Sequence, residues 1–321
     1  MHRGTAWIVA WISCLAAASA CAQVLWKEPP PMTAQEWSRG PWGAELVPHP
    51  PYRFVSENMN GTNAKVNVRD AEGRTWVVKL GGEVHADTFA ARLSYALGYA
   101  ASPTYFVAKG VIEDAHGLKR AGRFIAKDGS FHTARFKLKQ SHKEPWSWVD
   151  NPFAGSRELG GLKVLVMLLS NWDTKDSRDG DGSNNSVFEK FRPDGVRQWY
   201  AVTDWGASMG KTGNLLQWER WDWRGYRAQS RGFVKLRADG TLRWGFAGKH
   251  GRDITAGVDV EDIRWLLPLL ARITDNDLIA ALQASGASPA VAGHFTYSIR
   301  RRVQQLQNVA ASSMTADVRT P

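Results

Sequence analysis

From Tyr52 onward the chain alternates between two hydrophobic periods. Residues 63–80, NAKVNVRDAEGRTWVVKL, carry apolar side chains at alternate positions on both sides of an Ala-Glu-Gly turn. A period of two belongs to half-buried strands, so this stretch predicts a β-hairpin. In residues 85–97, HADTFAARLSYAL, the side chains Phe89, Leu93, Ala96 and Leu97 recur at helical spacing. Gly98 then suits the position just past a helix C-terminus. The segments TYFVAKGVI, GRFIA and FHTARFKLK within 104–139 predict two or more further strands. The pattern is that of a small sheet with one helix inserted after its hairpin.

The character changes at about residue 156. SRELGGLKVLVMLLSNW is apolar nearly all round and reads as a buried helix. A second hairpin follows, SVFEKF and QWYAVTDWG about Pro193-Asp194-Gly195, where Pro presets φ and Gly accepts positive φ. Residues 211–252, rich in Trp, Arg and Gly, read as irregular. Asp259–Leu270 reads as one helix. Thr274 with Asp277 opens a second in the manner of a capping box, ended by Gly286. Ser288-Pro289 opens a third, running to about Val309. The polar tail 310–321 is expected to be disordered. Residues 23–51 carry three clusters of Pro with Gly, in KEPPP, GPWG and VPHPPY, and read as a linker without regular structure.

The 321 residues are 43% hydrophobic and 22% charged, enough for a sizeable core. The net charge of +10 favours anionic partners. At the N-terminus Arg3 precedes AWIVAWISCLAAASA, an apolar stretch ending in small residues. Ala20-Cys21-Ala22 offers a signal-peptide cleavage site. A lipoprotein signal acylated at Cys21 and an uncleaved membrane anchor are the alternatives. All three place the body of the protein outside the cytoplasm, in the periplasm, in the outer envelope or secreted. Nucleic acid is not an expected partner there. Cys14 and Cys21 are the only cysteines, so the mature body holds no disulfide, thiol nucleophile or Cys-ligated zinc. The eight His residues form no H-E-x-x-H pair, which leaves a zinc hydrolase unsupported.

The buried helix stops at LLSNWDTKDSRDGDGSNNSVF, an abrupt run of Asp, Lys, Arg and Asn. Phosphoryl transfer from ATP uses a glycine turn over the phosphates, a strand lysine, an acid that orients it, a loop Asp, an Asn and a second Asp for metal. The chain offers each in that order. Gly61-Thr62-Asn63 precedes the first hairpin strand. Lys79 ends TWVVK, in phase with Val77. Asp87 lies in the first turn of the following helix and Glu83 just before it. Asp173-Thr174-Lys175 sits in the polar loop, Asn184-Asn185 close it, and Asp204 opens Asp-Trp-Gly after an apolar strand.

Through GTNAKVNVRDAEGRTWVVKLGGEVHADTFAARLSYALGY, WSWVDNPFAGSRELGGLKVLVMLLSNWDTKDSRDGDGSNNSVF and AVTDWGASMGKTGN, the chain resembles a family of bacterial secreted proteins. That family looks like a distant relative of the protein-kinase-like superfamily that includes the phosphatidylinositol kinases, the HipA-type kinases and secretory-pathway kinases. The resemblance covers roughly residues 55–308. It implies an α+β, two-lobed protein-kinase-like fold, with a small β-rich N-lobe at 52–145 and a larger, mainly helical C-lobe at 146–309.

It also implies roles. Lys79 would contact the phosphates of ATP or another nucleotide, with Asp87 or Glu83 orienting it. Asp173 would act as base or position the acceptor, and Lys175 would neutralise the transferred phosphoryl group. Asn185 and Asp204 would hold Mg²⁺ or Mn²⁺, with Asn184 the substitute; Asp176 would serve metal or structure. The chain departs from the pattern in its insert at 177–183, which shifts the Asn register. It departs again at Asp87, where Glu is expected. The implied activity is extracytoplasmic phosphotransfer to a protein, lipid or glycan acceptor. The alternative is a catalytically silent scaffold, binding glycans through exposed Trp of QWERWDWRGYR. DSRDGDGSNN lacks the spacing of a calcium loop and reads as a solvated turn. Arg300-Arg301-Arg302 reads as a solvated helix face.

Overall fold

The computed structural model describes residues 22–140, 143–180, 182–192, 195–213 and 219–317. The expected targeting segment up to Cys21, the expected turn residues Pro193 and Asp194, and the end of the tail lie outside the described residues. No helix among the described residues is long and apolar enough to cross a membrane.

The Pro-rich stretch 23–51 is more ordered than its composition predicts. Strand β1 (Ala22–Val24) pairs in parallel with a strand far along the chain, Ala22 opposite Arg197. Helix α1 (Ala34–Arg39) begins with a capping box in which Thr33 and Glu36 satisfy each other's backbone N–H groups. Leu25 and Trp37 are both buried, and the Arg92 guanidinium donates to the carbonyls of Trp37 and Ser38 at 2.8 and 2.9 Å. The prolines lie in the connections. Two buried apolar side chains and a buried cation hold what lies between them.

Five strands then close into a barrel: β2 (Tyr52–Asn58), β3 (Lys65–Arg69), β4 (Thr75–Leu80), β5 (Thr104–Glu113) and β6 (Ser130–Leu138), in the order β2-β3-β4-β6-β5. β3 and β4 are the expected hairpin. Parallel pairing of Tyr52 with Ile112 and of Arg53 with Glu113 closes the ring. The interior is filled by Val66, Val68, Trp76, Val78, Leu80, Phe131 and Phe136, all buried. GRFIA is not a strand. It forms a single 3-10 turn, Ala121–Arg123, after which Ile125 bridges to Phe131.

Helix α2 (Val84–Ala96) follows β4. Helix α3 (Arg157–Leu168) leads to β8 (Asn185–Arg192) and β9 (Gly195–Val202), which form a sheet with β1 and the short β7 (Lys143–Glu144) in the order β1-β9-β8-β7. The stretch 211–252 contains α4 (Trp223–Gln229), the pair β10 (Val234–Leu236) and β11 (Leu242–Trp244), and the start of α5 (Gly251–Thr255). Helices α6 (Val260–Ala271) and α7 (Asp275–Gln283) start at Asp259 and Thr274 with capping boxes. α8 (Pro289–Asp317) continues well past Val309.

The two-lobed, kinase-like arrangement does not hold, although the chain is α+β. The strands form a closed barrel whose interior buries itself. Closure removes the free sheet edges and encloses the apolar faces of the strands. α2 therefore buries its apolar stripe elsewhere. Phe89, Leu93 and Leu97 join Leu25, Trp37, Leu162, Leu165, Leu266 and Phe295 in one continuous core of the helical body.

Candidate active site

Alternation along β4 decides where Lys79 points. Trp76, Val78 and Leu80 fill the barrel, so Lys79 and Val77 project from its outer face. Lys79 lies directly opposite Lys65 on β3 and directly opposite Arg135 on β6. Three cations thus form one row across neighbouring strands, and Lys137 follows two positions after Arg135 on the same face. The alternation in FHTARFKLK carries the signal for Arg135 and Lys137, because both flank the buried Phe136 at a period of two.

Three acids answer the row. The Lys79 ammonium donates to Glu83 Oε2 at 2.9 Å and to both Asp204 oxygens at 2.9 and 3.0 Å. Asp87 Oδ2 lies 3.6 Å from Lys79 and 3.0 Å from Arg135 Nε. Asp87 Oδ1 accepts the Trp205 backbone N–H at 3.2 Å. Glu83 is therefore the direct partner of Lys79, and Asp87 ties Arg135 and the 204–206 turn to α2. The methylene that Asp lacks relative to Glu matches this division. Glu83 also pairs with Arg220. Gly206 permits the approach: a Cβ there would meet Glu83 Cβ at 2.6 Å.

Burial opposes the charge on Lys79, but Asp204, Asp87 and Glu83 outweigh it and hold its pKa above the ordinary lysine range. Asp204 shows the converse. Desolvation acts to raise its pKa, and the Lys79 and Lys137 charges hold it well below the carboxylate range. For Asp87 desolvation is likewise outweighed, by Arg135 and Lys79, and its pKa is lowered.

The polar loop is built from the end of α3. Asn171 N–H donates to Val166 O and Ser170 N–H to Met167 O, both at 3.0 Å, with Ser170 at φ +54°. This is the double hydrogen bond of a helix that ends in a left-handed residue. Arg302 clamps it from α8. Its Nη1 donates to Leu168 O at 2.8 Å and to Ser170 Oγ at 2.6 Å. Arg302 is buried, with its guanidinium 3.7 Å from the Tyr226 ring centroid. The solvated-face reading of Arg300-Arg301-Arg302 fails at Arg302, which is a buried helix cap.

Beyond the cap, Asn171 Nδ2 donates to Asp204 O at 3.2 Å, and Lys249 N–H donates to Trp172 O at 2.8 Å. Asp173 follows, a quarter exposed, with Lys175 Nζ 3.7 Å from its Oδ2. Burial raises the Asp173 pKa and the Asp204 charge adds to the rise, against the smaller pull of Lys175 and Asn184. Asn184 closes the loop on Asp173. Its side-chain amide donates to Asp173 O, and its own carbonyl accepts from Thr203 N–H at 2.7 Å and Asp204 N–H at 3.3 Å. Asn185 sits opposite Val202, fully buried, with Nδ2 3.5 Å from Trp146 O. The 177–183 insert is thus absorbed so that Asn184, rather than Asn185, lies against Asp173.

Asp176, Asp179 and His250 place ligand atoms close enough to hold a metal ion. The space is taken up by internal pairing. Asp176 accepts from Trp148 N–H at 3.0 Å and from Arg178 Nη2 at 2.7 Å, and His250 Nε2 lies 2.7 Å from Asp179. These bonds hold the Asp176 pKa at about 2 against the desolvation that opposes them. Asp176 is a loop brace.

The proposed phosphate turn lies at the rim. Gly61 has φ +68° and accepts Arg120 Nη1 at 2.7 Å, and Asn63 is half-buried. The Trp-rich segment packs inward where it is described. Trp221 stacks on His85 and packs on Phe295, and Trp223 stacks on His294. Trp218 lies outside the described residues. Gly206-Ala207-Ser208-Met209-Gly210 has the spacing of a nucleophile elbow, but Ser208 is fully buried, and among the described residues no helix follows before Trp223.

No protein-family model matches this chain, and no curated protein matches it.

Proposed function

We propose that this protein is an extracytoplasmic phosphotransferase that uses ATP or another nucleotide with Mg²⁺ or Mn²⁺. The observation that carries this reading is convergence. Lys79 and Glu83, the Asp173 loop, Asn184 and Asp204 come from separate segments, and the Lys79–Asp204 contact joins β4 to the end of β9. A polar set of this kind, with carboxylates shifted in opposite directions, is expensive to bury and characteristic of acid–base sites.

Asp173 is the base or the group that positions the acceptor hydroxyl, a role suited to its raised pKa. Lys175 offsets charge on the group in transfer. A hard divalent cation takes oxygen ligands. Asp204, whose carboxylate oxygens also accept from Lys79, and the Asn184 amide oxygen would hold the ion through their remaining lone pairs. Asp173 Oδ1 is a further buried oxygen with no hydrogen-bond donor among the described residues. The bound metal would neutralise charge on the phosphate oxygens. Asn185 Nδ2 reaches Trp146 O, and its buried Oδ1, likewise without a hydrogen-bond donor among the described residues, is the substitute ligand.

The test is thermal unfolding of the full chain with ATP and Mg²⁺ or Mn²⁺. Stabilisation that disappears in Asp204→Ala and survives in Asp173→Asn supports the assignment. A wild-type protein that no nucleotide–metal pair stabilises refutes it.

A further inference from the structure

Lys65 has no part in the roles above, yet it stands at one end of the cation row. It lies directly opposite Lys79, and its Nζ is 3.3 Å from where a side chain on Gly61 would begin. It is half-buried against the glycine turn and near enough to Asp204 and Glu83 to feel their charges.

The other cations of the row are engaged. Lys79 holds Glu83 and Asp204, Arg135 holds Asp87, and Lys137 donates to Thr203 O. Among the described residues no carboxylate lies within ion-pair distance of the Lys65 ammonium. Desolvation and the neighbouring Lys79 and Arg135 charges disfavour its ionised form and outweigh the opposing pull of Asp204 and Glu83. A lysine beside a tight turn and two other cations, with no carboxylate directly paired to it among the described residues, matches a bound anion.

We propose that Lys65, together with the Gly61 turn, grips the outer phosphates of a nucleoside polyphosphate, while Lys79 stays with its acids and holds Asp204 in place. This rests on the phosphotransfer reading above. Directly opposed residues on antiparallel strands have Cβ atoms roughly 5 Å apart. A phosphate gripped by Lys65 therefore lies beside Lys79 and the Asp204 that Lys79 holds. The site then selects ligands by phosphate number, and the selectivity resides in Lys65.

Calorimetric titration of the full chain with ATP, ADP and AMP, each with Mg²⁺, tests this on wild type, Lys65→Met, Lys65→Gln and Lys65→Arg. Wild type is expected to bind more tightly with each added phosphate. Lys65→Met and Lys65→Gln should lose about tenfold or more for ATP, with little change for AMP, and Lys65→Arg should recover most of the loss. Two neutral variants guard against a folding defect in either one. ATP affinity unchanged in a folded neutral variant, with wild type still binding ATP, overturns the role of Lys65 and leaves the phosphotransfer reading intact. A wild type that binds no nucleotide overturns both.

Discussion

Arg302 Nη1 donates to Ser170 Oγ at 2.6 Å, linking the last helix to the residue that turns the chain into the Asp173 loop. The same guanidinium reaches Leu168 O at 2.8 Å, Ser230 Oγ at 2.8 Å and Tyr226 O at 3.2 Å. A buried cation with a full set of acceptors sits at the negative end of α3, where the helix dipole favours it. Arg302→Met strands several buried acceptors and is expected to cost roughly 3 kcal/mol. The exposed neighbour Arg301→Met should stay within about 0.5 kcal/mol. Equilibrium urea unfolding of both variants checks the contrast, and equal effects would refute the cap.

Asp173 should trade stability for activity. Its pKa is raised in the fold, so its favourable contribution is complete below the unfolded carboxylate pKa of about 3.9 and is lost as pH rises through the folded value. At neutral pH the ionised side chain is a burden. Asp173→Asn is therefore expected to unfold at a higher temperature than wild type at pH 7, with the gain fading below about pH 4. Turnover should fall by about 10² or more. Unfolding scans from acid to neutral pH read the first effect, and a nucleotide-hydrolysis or transfer assay reads the second.

The pH profile of any activity carries the same sign. A base must be deprotonated, so activity should fall as pH drops through the raised pKa of Asp173. The acid limb should therefore lie above the ordinary carboxylate range. Rate measurements against pH decide this, and a limb at or below about pH 4 contradicts it.

Asp204 titrates in the opposite direction. Its pKa is depressed, so its contribution is present above the unfolded value of about 3.9 and is lost as pH falls through the lower folded value. Wild type should lose stability more steeply than Asp204→Asn in that acid window. Chemical unfolding at a series of pH values below about 5 measures the two slopes, which should converge if Lys79 does not hold Asp204 ionised.

Gly206 is needed for the close approach of the 204–206 turn to Glu83. Gly206→Ala places a methyl 2.6 Å from Glu83 Cβ and from Oε2. Glu83 must shift, which loosens its bond to Lys79. A loss of about 2 kcal/mol is expected, together with weakened nucleotide binding. Thermal unfolding and nucleotide titration on the same variant test both.

Much of this protein was legible in the order of its residues. The β3–β4 hairpin, α2, α3 and the capping box at Thr274 follow from local periodicity and from side chains bonding to nearby backbone. The grouping of Lys79, Asp173 and Asp204 as candidate partners comes from their residue types and order along the chain, which match the parts phosphoryl transfer uses. Their meeting does not follow. The hairpin pattern could not say whether its strands would close on themselves. Closure turned Lys79 outward, set Lys65 and Arg135 beside it, and sent the apolar face of α2 into the helical body, which removed the expected two-lobed form. Arg302 was unreadable for the same reason. A basic run on a helix looks solvated until distant carbonyls come to meet one member of it. Short-range periodicity and capping are written along the chain. The partner of a buried charge is chosen by contacts between residues far apart in sequence, and only the tertiary structure decides those.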